Sequence, residues 1–278
     1  MDGPLVSVLM TAYNRERYIM EAIESVLASH YPHFELIIVD DGSTDATVAI
    51  AKSYAAKDPR VTVHINEKNL GDYPNRNRAA SHARGKYLKY LDSDDLIYRH
   101  GLQALVDFME QDQEAAMGIS YKQNITHRPF PWIMEPSESL RHHFFIQGFL
   151  DSGPTGTIIR RECFETLGGF SGKRMIGDME FGLKAAANYK VMLLPPSLSF
   201  WRSHGDQEIS IGNANDSYFP LTEALLHEQV EHLPEHILTA AERARILEDF
   251  ARLQRNYRLK KAVKRILFIN GKIQNRPA

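Results

Sequence analysis

Short apolar runs alternate with helical patterns along the first hundred residues of the chain. The apolar runs predict four buried strands, at Leu5–Met10, Phe34–Val39, Val61–Ile65 and Tyr87–Leu91. Between them, apolar residues spaced three and four apart predict helices, around Ile19–Leu27, Asp45–Ala56 and Pro74–Arg84. This alternation specifies a parallel sheet with helices on both faces and with ligand sites at the carboxyl ends of its strands.

The second part of the chain changes in texture and then returns to the α/β pattern. Residues 123–156 are rich in proline, histidine, aromatic residues and glycine, and they are predicted to form loops that line a cleft. Helices around Glu162–Leu167 and Asp178–Asn188 and a strand at Val191–Leu194 are predicted to follow.

The C-terminal part has only helical patterns. Beyond Pro220 the chain is predicted to be wholly helical, with apolar residues at helical spacing from Ile246 to Tyr257. We therefore expect three parts: an α/β half of the type that binds nucleotides over about 1–100, a second half over about 101–218, and a helical region over 219–278.

Composition and charge exclude several functional classes. The 278 residues carry a formal net charge of −2 and no long basic block, so the electrostatic footprint of a nucleic-acid-binding protein is missing. Cys163 is the single cysteine and can form no internal disulfide. The chain shows neither a secretory pattern at its start nor the roughly 18 uninterrupted apolar residues of a membrane span. We expect a cytoplasmic protein that binds no nucleic acid.

The densest chemistry lies in the segment Asp92-Ser93-Asp94-Asp95, directly after the fourth predicted strand. In extended chain, residues two apart project to the same side, so Asp92 and Asp94 are expected to converge at the strand end. Such hard carboxylates suit Mg²⁺ or Mn²⁺, which bind them together with ligand phosphates and neutralise charge on a diphosphate leaving group. The alternative is an acidic turn, or a cap for the helix predicted near Leu102 to Met109.

Two polar turns are expected to meet at the same edge of the sheet. Thr11-Ala12-Tyr13-Asn14-Arg15 ends the first strand, and Asp40-Asp41-Gly42-Ser43 ends the second. Here backbone groups, a flat aromatic ring and a carboxylate can hold a base and a ribose, and Asp41 is able to accept the imide N–H of a uracil. Alternatively, the second turn only caps a helix.

A dinucleotide-binding dehydrogenase or a methyltransferase also places an acid at the end of its second strand. In those folds the first turn needs glycines, which let the backbone approach a pyrophosphate. The turn Thr11 to Arg17 contains no glycine, so this class is set aside.

Taken in order, these segments resemble a family 2 glycosyltransferase with the GT-A fold, over roughly residues 4–212. The resemblance implies an α/β GT-A domain with a mostly parallel central sheet, followed by the C-terminal helices. It also implies a nucleotide site bordered by five consecutive residues: Thr11, Ala12, Tyr13, Asn14 and Arg15.

The same resemblance assigns further donor-side residues. It implies that Asp41 contacts the base and that Arg76 lies near the base and the diphosphate. Asp92, followed by Ser93, is placed near the ribose. Asp94 is implied to be the principal metal ligand, and Asp95 either shares the metal or supports its surroundings.

The resemblance places the catalytic base at Asp178, where a Glu-Asp pair opens a helix in the family. Here Gly177 stands in the place of the Glu. An inverting transfer needs one carboxylate to take the acceptor proton as the acceptor oxygen attacks the anomeric carbon opposite the leaving diphosphate. Asp178 is expected to fill this role, with Glu180 as the substitute. The alternative is that Asp178 only caps the helix.

The segment Trp201-Arg202-Ser203-His204 resembles the family's Arg-x-His segment, in a loop that closes over the diphosphate. His204 is expected to donate to the diphosphate or complete the metal shell, and Arg202 to balance the diphosphate charge. The alternative is a structural histidine. Three aromatic residues are candidates for stacking on an acceptor sugar, with core packing as the alternative: Phe130, Trp132 and Trp201.

Together these residues imply an inverting, metal-dependent transfer from a nucleotide diphosphate donor, a UDP-sugar, to a saccharide or lipid-linked glycan in cell-surface polysaccharide synthesis. A divalent Mn or Mg ion is the expected cofactor. Gly177 keeps open a catalytically silent subunit that binds a nucleotide sugar or a glycan as a scaffold. Cations beside an apolar face at Leu259 to Ile269 predict peripheral contact with the inner face of a membrane, or packing against the domain or a second subunit.

Overall fold

The computed structural model describes residues 3–120, 128–205 and 218–274, with side chains as far as residue 260. Contacts divide the chain into two units, Met1–Gly212 and Asn213–Ala278, and each is described by itself. The division at residue 218 that the sequence suggests stays a prediction.

The first unit is built on a mixed sheet of eight strands. The strands of this unit are β1 (Val6–Ala12), β2 (Phe34–Asp40), β3 (Val61–Ile65), β4 (Tyr87–Tyr90), β5 (Leu96–Ile97), β6 (Ala115–Ser120), β7 (Trp132–Met134), β8 (Thr157–Arg160), β9 (Lys190–Leu194) and β10 (Ser199–Phe200). The order in the large sheet is β3-β2-β1-β4-β8-β6-β9-β7, and β5 pairs with β10 in a separate ribbon.

The direction of the strands differs between the two halves of this sheet. Strands β1 to β4 pair in parallel, as do β6 and β9. Strand β8 runs antiparallel to β4 and β6, and β7 runs antiparallel to β9. The predicted mostly parallel GT-A sheet is confirmed, and each of its antiparallel pairings includes a strand of the second half, β7 or β8.

The parallel strands are buried because their sequences are almost continuously apolar. Every residue of β2 and all but one of β1 are buried, which is typical of strands covered on both faces. The polar exceptions satisfy one another: Ser7 Oγ donates to Glu35 at 2.7 Å, and the Arg84 guanidinium pairs with the same carboxylate at 2.7 Å.

The helices of the first unit follow from apolar residues at helical spacing. They are α1 (Ile19–Leu27), α2 (Thr47–Ala55), α3 (Asp72–Ser81), α4 (Gly101–Met109), α5 (Pro136–Arg141), α6 (Arg161–Thr166) and α7 (Gly177–Asn188). Helix α3 begins after Gly71, whose φ of 87° lies in the left-handed region that favours glycine. That turn directs the first residues of α3, among them the buried Tyr73 and Arg76, into the domain.

The prediction that residues 123–156 form loops is wrong for about half of the part that the structure describes. This stretch contains β7, α5 and one π-helical turn at His142–Ile146, while residues 121–127 lie outside the described residues. Pro136 starts a helix here rather than preventing one, because the first helical position needs no backbone N–H. Strand β6, which the sequence reading did not identify, is also present.

Over the residues of the second unit that the structure describes, 218–274, the chain forms two helices, Tyr218–Val230 and Ala240–Gln274. The predicted helical C-terminal part is confirmed. Thr239 and Glu242 form a reciprocal capping box at the start of the longer helix, and Phe219 packs on Tyr257 with a ring separation of 4.6 Å.

No helix among the described residues is long and apolar enough to cross a membrane. The side chains from residue 261 onward, which include most of the basic apolar face near the C-terminus, lie outside the described residues. Membrane contact through that face therefore stays a prediction.

Candidate active site

The two polar turns that follow β1 and β2 are joined by hydrogen bonds. Because the strands run side by side in parallel, the Asp41 N–H reaches the Ala12 carbonyl oxygen at 2.8 Å. The Asn14 N–H donates to Ser43 Oγ at 2.8 Å, and Asn14 Oδ1 accepts the Thr44 N–H at 2.9 Å. The structure thus brings the two turns together at the carboxyl edge of the sheet.

Within the first turn, Thr11 and Ala12 still belong to β1 and only the next residues leave the sheet. Tyr13 is 48% exposed, so its ring is available to stack on a flat ligand. Asn14 adopts a φ of 52°, which turns the chain back toward the acidic segment after β4.

The Asp40 carboxylate builds the second turn. It accepts the N–H groups of Gly42 and Ser43 at 3.1 and 2.8 Å. Helix α2 begins later, at Thr47, after a cap at Ala46, so this turn does not cap it.

The neighbouring Asp41 ties the loop that precedes α3. Its buried carboxylate accepts the N–H groups of Leu70 and Gly71 at 2.8 and 2.9 Å and the Asn66 amide at 2.7 Å. Asp41 is therefore already engaged with the protein, and its contact with a base stays a prediction.

The acidic segment forms a tight turn rather than an extended continuation of β4. The Asp95 N–H donates to the Asp92 carbonyl oxygen at 2.9 Å, so the argument from extended chain is wrong. The turn still gathers the carboxylates, and one oxygen each of Asp92, Asp94 and Asp95 lies within 4.8 Å of the others. Ser93 is buried between them, and α4 begins too late, at Gly101, to be capped by this segment.

Asp94 is the residue where two predicted site residues converge. Its Oδ2 lies 3.1 Å from Arg15 Nε and 2.9 Å from His204 Nε2. The His204 ring also stacks on Tyr18, with ring centroids 4.8 Å apart. The structure thus brings the first turn, the acidic segment and the Arg-x-His segment together at Asp94, and their joint role in binding a donor stays a prediction.

Arg76 supplies a buried cation to the other end of the acidic segment. Its guanidinium forms ion pairs with Asp92 Oδ1 at 2.7 Å and with Asp72 Oδ1 at 2.8 Å. These two carboxylates raise the pKa of Arg76 although burial alone would lower it, so the guanidinium stays charged.

Arg202 closes the segment from the loop after β10. Its backbone N–H donates to Asp95 Oδ1 at 2.9 Å, and its Nε donates to the Asp94 carbonyl oxygen at 2.8 Å. The same guanidinium pairs with Glu21 at 2.6 Å. Arg202 therefore lies beside the acidic turn, and its expected role in balancing the charge of a diphosphate stays a prediction.

The carboxylate cluster fits a hard divalent cation. Burial, and next the charge of Asp92, raise the pKa of the Asp95 carboxyl above its ordinary value, so a cation bound beside it would favour the ionised form. All three candidate ligands in the turn are oxygen donors, the set that Mg²⁺ and Mn²⁺ prefer.

Lys89 lies under the acidic turn, inside β4, and was not identified from the sequence. It is fully buried; its ammonium donates to the Tyr90 carbonyl oxygen at 2.9 Å and to the carbonyl oxygen of Thr155. Burial lowers its pKa to about 7. Thr155 Oγ1 accepts the Asp92 N–H at 3.1 Å, so the 153–157 segment is attached to the turn.

Asp178, the predicted base, lies in a small apolar pocket on the other side of that segment. The pocket wall includes Gly153, Pro154, Phe170 and Phe181. Burial in this wall raises the pKa of Asp178 to about 6. Helix α7 is capped at Ile176, so Asp178 lies in its first turn and is not its cap residue.

Glu180 does not share this pocket. It is buried in ion pairs with Lys173 at 3.0 Å and Lys184 at 3.2 Å. Burial alone would raise its pKa, but hydrogen bonds from Ser171 and these lysines hold the pKa below its ordinary value. The structure gives Glu180 a structural place and disfavours it as the substitute base.

The structure gives a physical reason why residue 177 is a glycine and not the Glu that the resemblance implies at this position. A Cβ at this position would lie 2.8 to 2.9 Å from atoms of the Tyr73 ring, closer than real side chains approach. The Tyr73 ring therefore fills the space that any side chain at 177 would need.

The three aromatic candidates for sugar stacking differ in how far their side chains are exposed. Trp132 is buried in β7 against His142, with ring centroids 4.7 Å apart, so its expected stacking role gives way to core packing. Trp201 is 45% exposed and Phe130 is half-buried, so stacking by either stays a prediction.

Sequence reasoning missed three contact residues in this region. Lys89 had a signal, since a single cation inside an apolar strand demands a buried partner. Tyr73 had a weaker one, since it lies three residues before Arg76 on the same helix. Thr155 was noted only as part of a glycine-rich loop, and nothing local indicates its contact with Asp92.

The fold and the site define a GT-A domain, and the sequence comparison gives its family. Residues 7–168, more than half of the chain, match the profile of Glycosyl transferase family 2. The chain therefore belongs to glycosyl transferase family 2.

Two relatives from Bacillus subtilis (strain 168) illustrate the extent of similarity. TuaG, named as a glycosyltransferase of teichuronic acid biosynthesis, is 43% identical over 106 residues, which cover 38% of this chain and 42% of TuaG. EpsE, named as a glycosyltransferase, is 34% identical over 192 residues, which cover 64% of each chain. The chain spans less than two thirds of the length of these relatives.

Solved structures show the same fold. TarS of S. aureus in complex with UDP-GlcNAc has a TM-score of 0.68 at 22% identity, covering 88% of this chain and 71% of TarS. The mannosyltransferase PcManGT of Pyrobaculum calidifontis, in complex with GDP-Man and Mn²⁺, has a TM-score of 0.65 at 19% identity, covering 90% and 73%.

Proposed function

We propose that this protein is an inverting, metal-dependent glycosyltransferase that moves a sugar from a UDP-sugar to a hydroxyl of a saccharide or lipid-linked glycan. The observation that carries the proposal is that two features contact the same two elements: the acidic turn with its neighbouring cations, and the carboxyl of Asp178, whose pKa is raised to about 6. Both contact the 153–157 segment and helix α3. The name of TuaG supports a cell-surface polysaccharide as the product class.

On the donor side, the turns at Thr11–Arg15 and Asp41 hold the nucleotide, with Arg76 and Asp92 near the ribose and diphosphate. Asp94, Asp95 and His204 would hold Mn²⁺ or Mg²⁺, which supplies positive charge to the leaving diphosphate. The nucleotide sugars named with TarS and PcManGT, and the Mn²⁺ named with PcManGT, support this assignment.

On the acceptor side, Asp178 takes the proton of the attacking hydroxyl. The acceptor oxygen forms its bond to the anomeric carbon, and the bond from that carbon to the diphosphate oxygen breaks. The electron pair of that bond leaves with the nucleoside diphosphate. A pKa of about 6 keeps Asp178 ionised at neutral pH and still basic enough to accept a proton.

The scaffold alternative loses its motivation, because the Tyr73 ring gives Gly177 a packing reason that does not require lost activity. Detectable turnover of a nucleotide sugar would exclude a silent subunit.

The test of the proposal is Asp178→Asn, assayed as UDP release from a panel of UDP-sugars with saccharide acceptors and Mn²⁺. We expect kcat to fall by a factor on the order of 10²–10⁴, while stabilisation by the donor is retained. Asp107→Asn is the matched control, because Asp107 is an exposed carboxylate on α4 that accepts a hydrogen bond from Gln103 on the same helix. Near-normal transfer by a folded Asp178→Asn protein would show that the base assignment is wrong.

A further inference from the structure

Tyr73 links the donor-side helix α3 to the predicted base. The Tyr73 side chain is almost completely buried, and its hydroxyl donates to Asp178 Oδ1 at 2.9 Å. Burial and the nearby Asp178 charge raise the pKa of the Tyr73 hydroxyl, so it remains a hydrogen-bond donor throughout the working pH range. The contact joins residues 105 positions apart in the chain.

The two oxygens of the Asp178 carboxyl have different surroundings. Oδ1 accepts both the Tyr73 hydroxyl and the Met179 N–H, each at 2.9 Å. Oδ2 lies toward Gly153, whose added Cβ would stand 4.0 Å away, on the pocket side. Fixing Oδ1 therefore leaves Oδ2 as the oxygen that faces the pocket.

The lack of a side chain at Gly177 leaves room for the Tyr73 ring in this contact. Three atoms of the Tyr73 ring would lie within 2.8 to 2.9 Å of a Cβ at position 177. The ring reaches Asp178 only across that space, so the hydrogen bond and the glycine require each other. Phe170 supports the ring from another side, with centroids 5.1 Å apart.

We propose that Tyr73 is a positioning residue that holds Asp178 by Oδ1, so that Oδ2 receives the acceptor proton, and that Gly177 exists to admit the Tyr73 ring. This inference rests on the proposed function for the role of Asp178, but the hydrogen bond itself can be tested without turnover.

A lost Tyr73 hydroxyl changes the proton affinity of Asp178 in a defined direction. The hydrogen bond stabilises the ionised carboxylate, so its removal raises the pKa of Asp178. Among the described residues, two charged groups that shift the pKa of this carboxyl are Arg76, which lowers it, and Asp72, which raises it. Both lie on α3 and are unchanged by Tyr73→Phe.

The experiment is a carboxyl ¹³C NMR titration of the full-length chain, with the Asp178 signal assigned by its loss in Asp178→Asn. Tyr73→Phe keeps the ring against Gly177 and removes only the hydroxyl. We expect the Asp178 midpoint to move upward by about one pH unit. Tyr54→Phe is the matched control, because the Tyr54 hydroxyl also donates to a carboxylate, Glu24 at 2.6 Å, on the exposed faces of α1 and α2.

The activity arm uses UDP release with the donor that supports turnover. We expect Tyr73→Phe to lower kcat about tenfold to a hundredfold, to shift the acid limb of kcat/KM upward, and to leave the donor KM unchanged. Gly177→Ala is expected to lower kcat similarly, and the double variant to be no worse than either single one, because both act through Asp178.

The outcomes separate the two claims. An unchanged Asp178 midpoint and acid limb in a folded Tyr73→Phe protein would overturn the inference while leaving the proposed function intact. If Tyr73→Phe fails to fold, Gly177→Ala carries the same test, and an unshifted Asp178 midpoint there overturns the inference. Full activity of Asp178→Asn would instead remove the proposed function, whatever the titration shows.

Discussion

The donor side and the acceptor side of the candidate site solve opposite electrostatic problems. On the donor side, Asp92, Asp94 and Asp95 crowd into one turn and are held by arginines and a histidine. On the acceptor side, the carboxyl of Asp178 lies among apolar residues and accepts a hydrogen bond from the Tyr73 hydroxyl.

This difference indicates that the donor side is suited to binding a cation and that the acceptor side is suited to exchanging a proton. The donor turn gathers three carboxylates whose oxygens can bind a cation, and Asp94 Oδ2 already contacts two protein partners, Arg15 and His204. A metal ion entering there must compete with both. The acceptor carboxyl instead responds to protons, because burial places its pKa near 6.

The largest effect predicted for the donor side is a loss of transfer activity. Asp94→Ala is expected to lower transfer by a factor on the order of 10²–10³. The substitution removes the proposed principal ligand of the metal ion that would neutralise charge on the leaving diphosphate. UDP release across a Mn²⁺ titration measures this. Asp107→Ala serves as the surface control, and full activity of Asp94→Ala at ordinary Mn²⁺ levels would contradict the comparison.

The next effect concerns stability on the donor side. Arg76→Met leaves Asp92 and Asp72 without their buried cation and is expected to lower the free energy of unfolding by about 3 kcal/mol. Urea denaturation measures it. Arg252→Met, which breaks an exposed pair with Asp249, should cost less than about 1 kcal/mol. Equal costs would mean that the Arg76 network is no stronger than a surface pair.

The third effect belongs to the acceptor side and depends on pH. Below about pH 6, protonation of Asp178 removes the base, so kcat/KM is expected to fall about tenfold per pH unit. A pH–rate profile at saturating Mn²⁺ shows whether the limb is present. A flat profile between pH 7 and 5 would assign the limiting proton transfer elsewhere.

The smallest predicted effect is on the acceptor side and concerns how Asp178 changes the free energy of unfolding with pH. The folded-state pKa of Asp178 is raised, so this group favours folding at low pH and loses that contribution as pH rises through about 6. Asp178→Asn is therefore expected to raise the free energy of unfolding by about 1 kcal/mol at pH 7.5, after allowance for partial exposure, and to have little effect near pH 4. A destabilised variant at pH 7.5 would mean that the ionised carboxylate contributes to folding.

The donor side was the more predictable half because its information is local in sequence. Four apolar runs predicted the parallel strands of this half. The turns that follow these strands were expected to place Asn14, Asp41 and Asp94 at the carboxyl edge of the sheet. Even there, the predicted reason for carboxylate convergence was wrong, since hydrogen bonding between Asp92 and Asp95 curls the segment.

The acceptor side depends on contacts between distant segments, which no local pattern contains. Asp178 was placed only by resemblance, and its hydroxyl partner Tyr73 lies 105 positions earlier. Gly177 has a local meaning only once the Tyr73 ring is seen beside it. The short elements between residues 128 and 156 were also missed, because their prolines begin helices as readily as they end them.

The most direct test of the account is a thermal-shift panel of nucleotide sugars with the intact chain, with and without Mn²⁺. A ligand that binds only the folded state must raise Tm, by roughly 5 °C at a hundredfold excess over Kd. The account predicts a Mn²⁺-dependent rise with a UDP-sugar that is lost in Asp94→Ala and retained in Asp178→Asn. No rise with any nucleotide sugar, or an equal rise in Asp94→Ala, would contradict it.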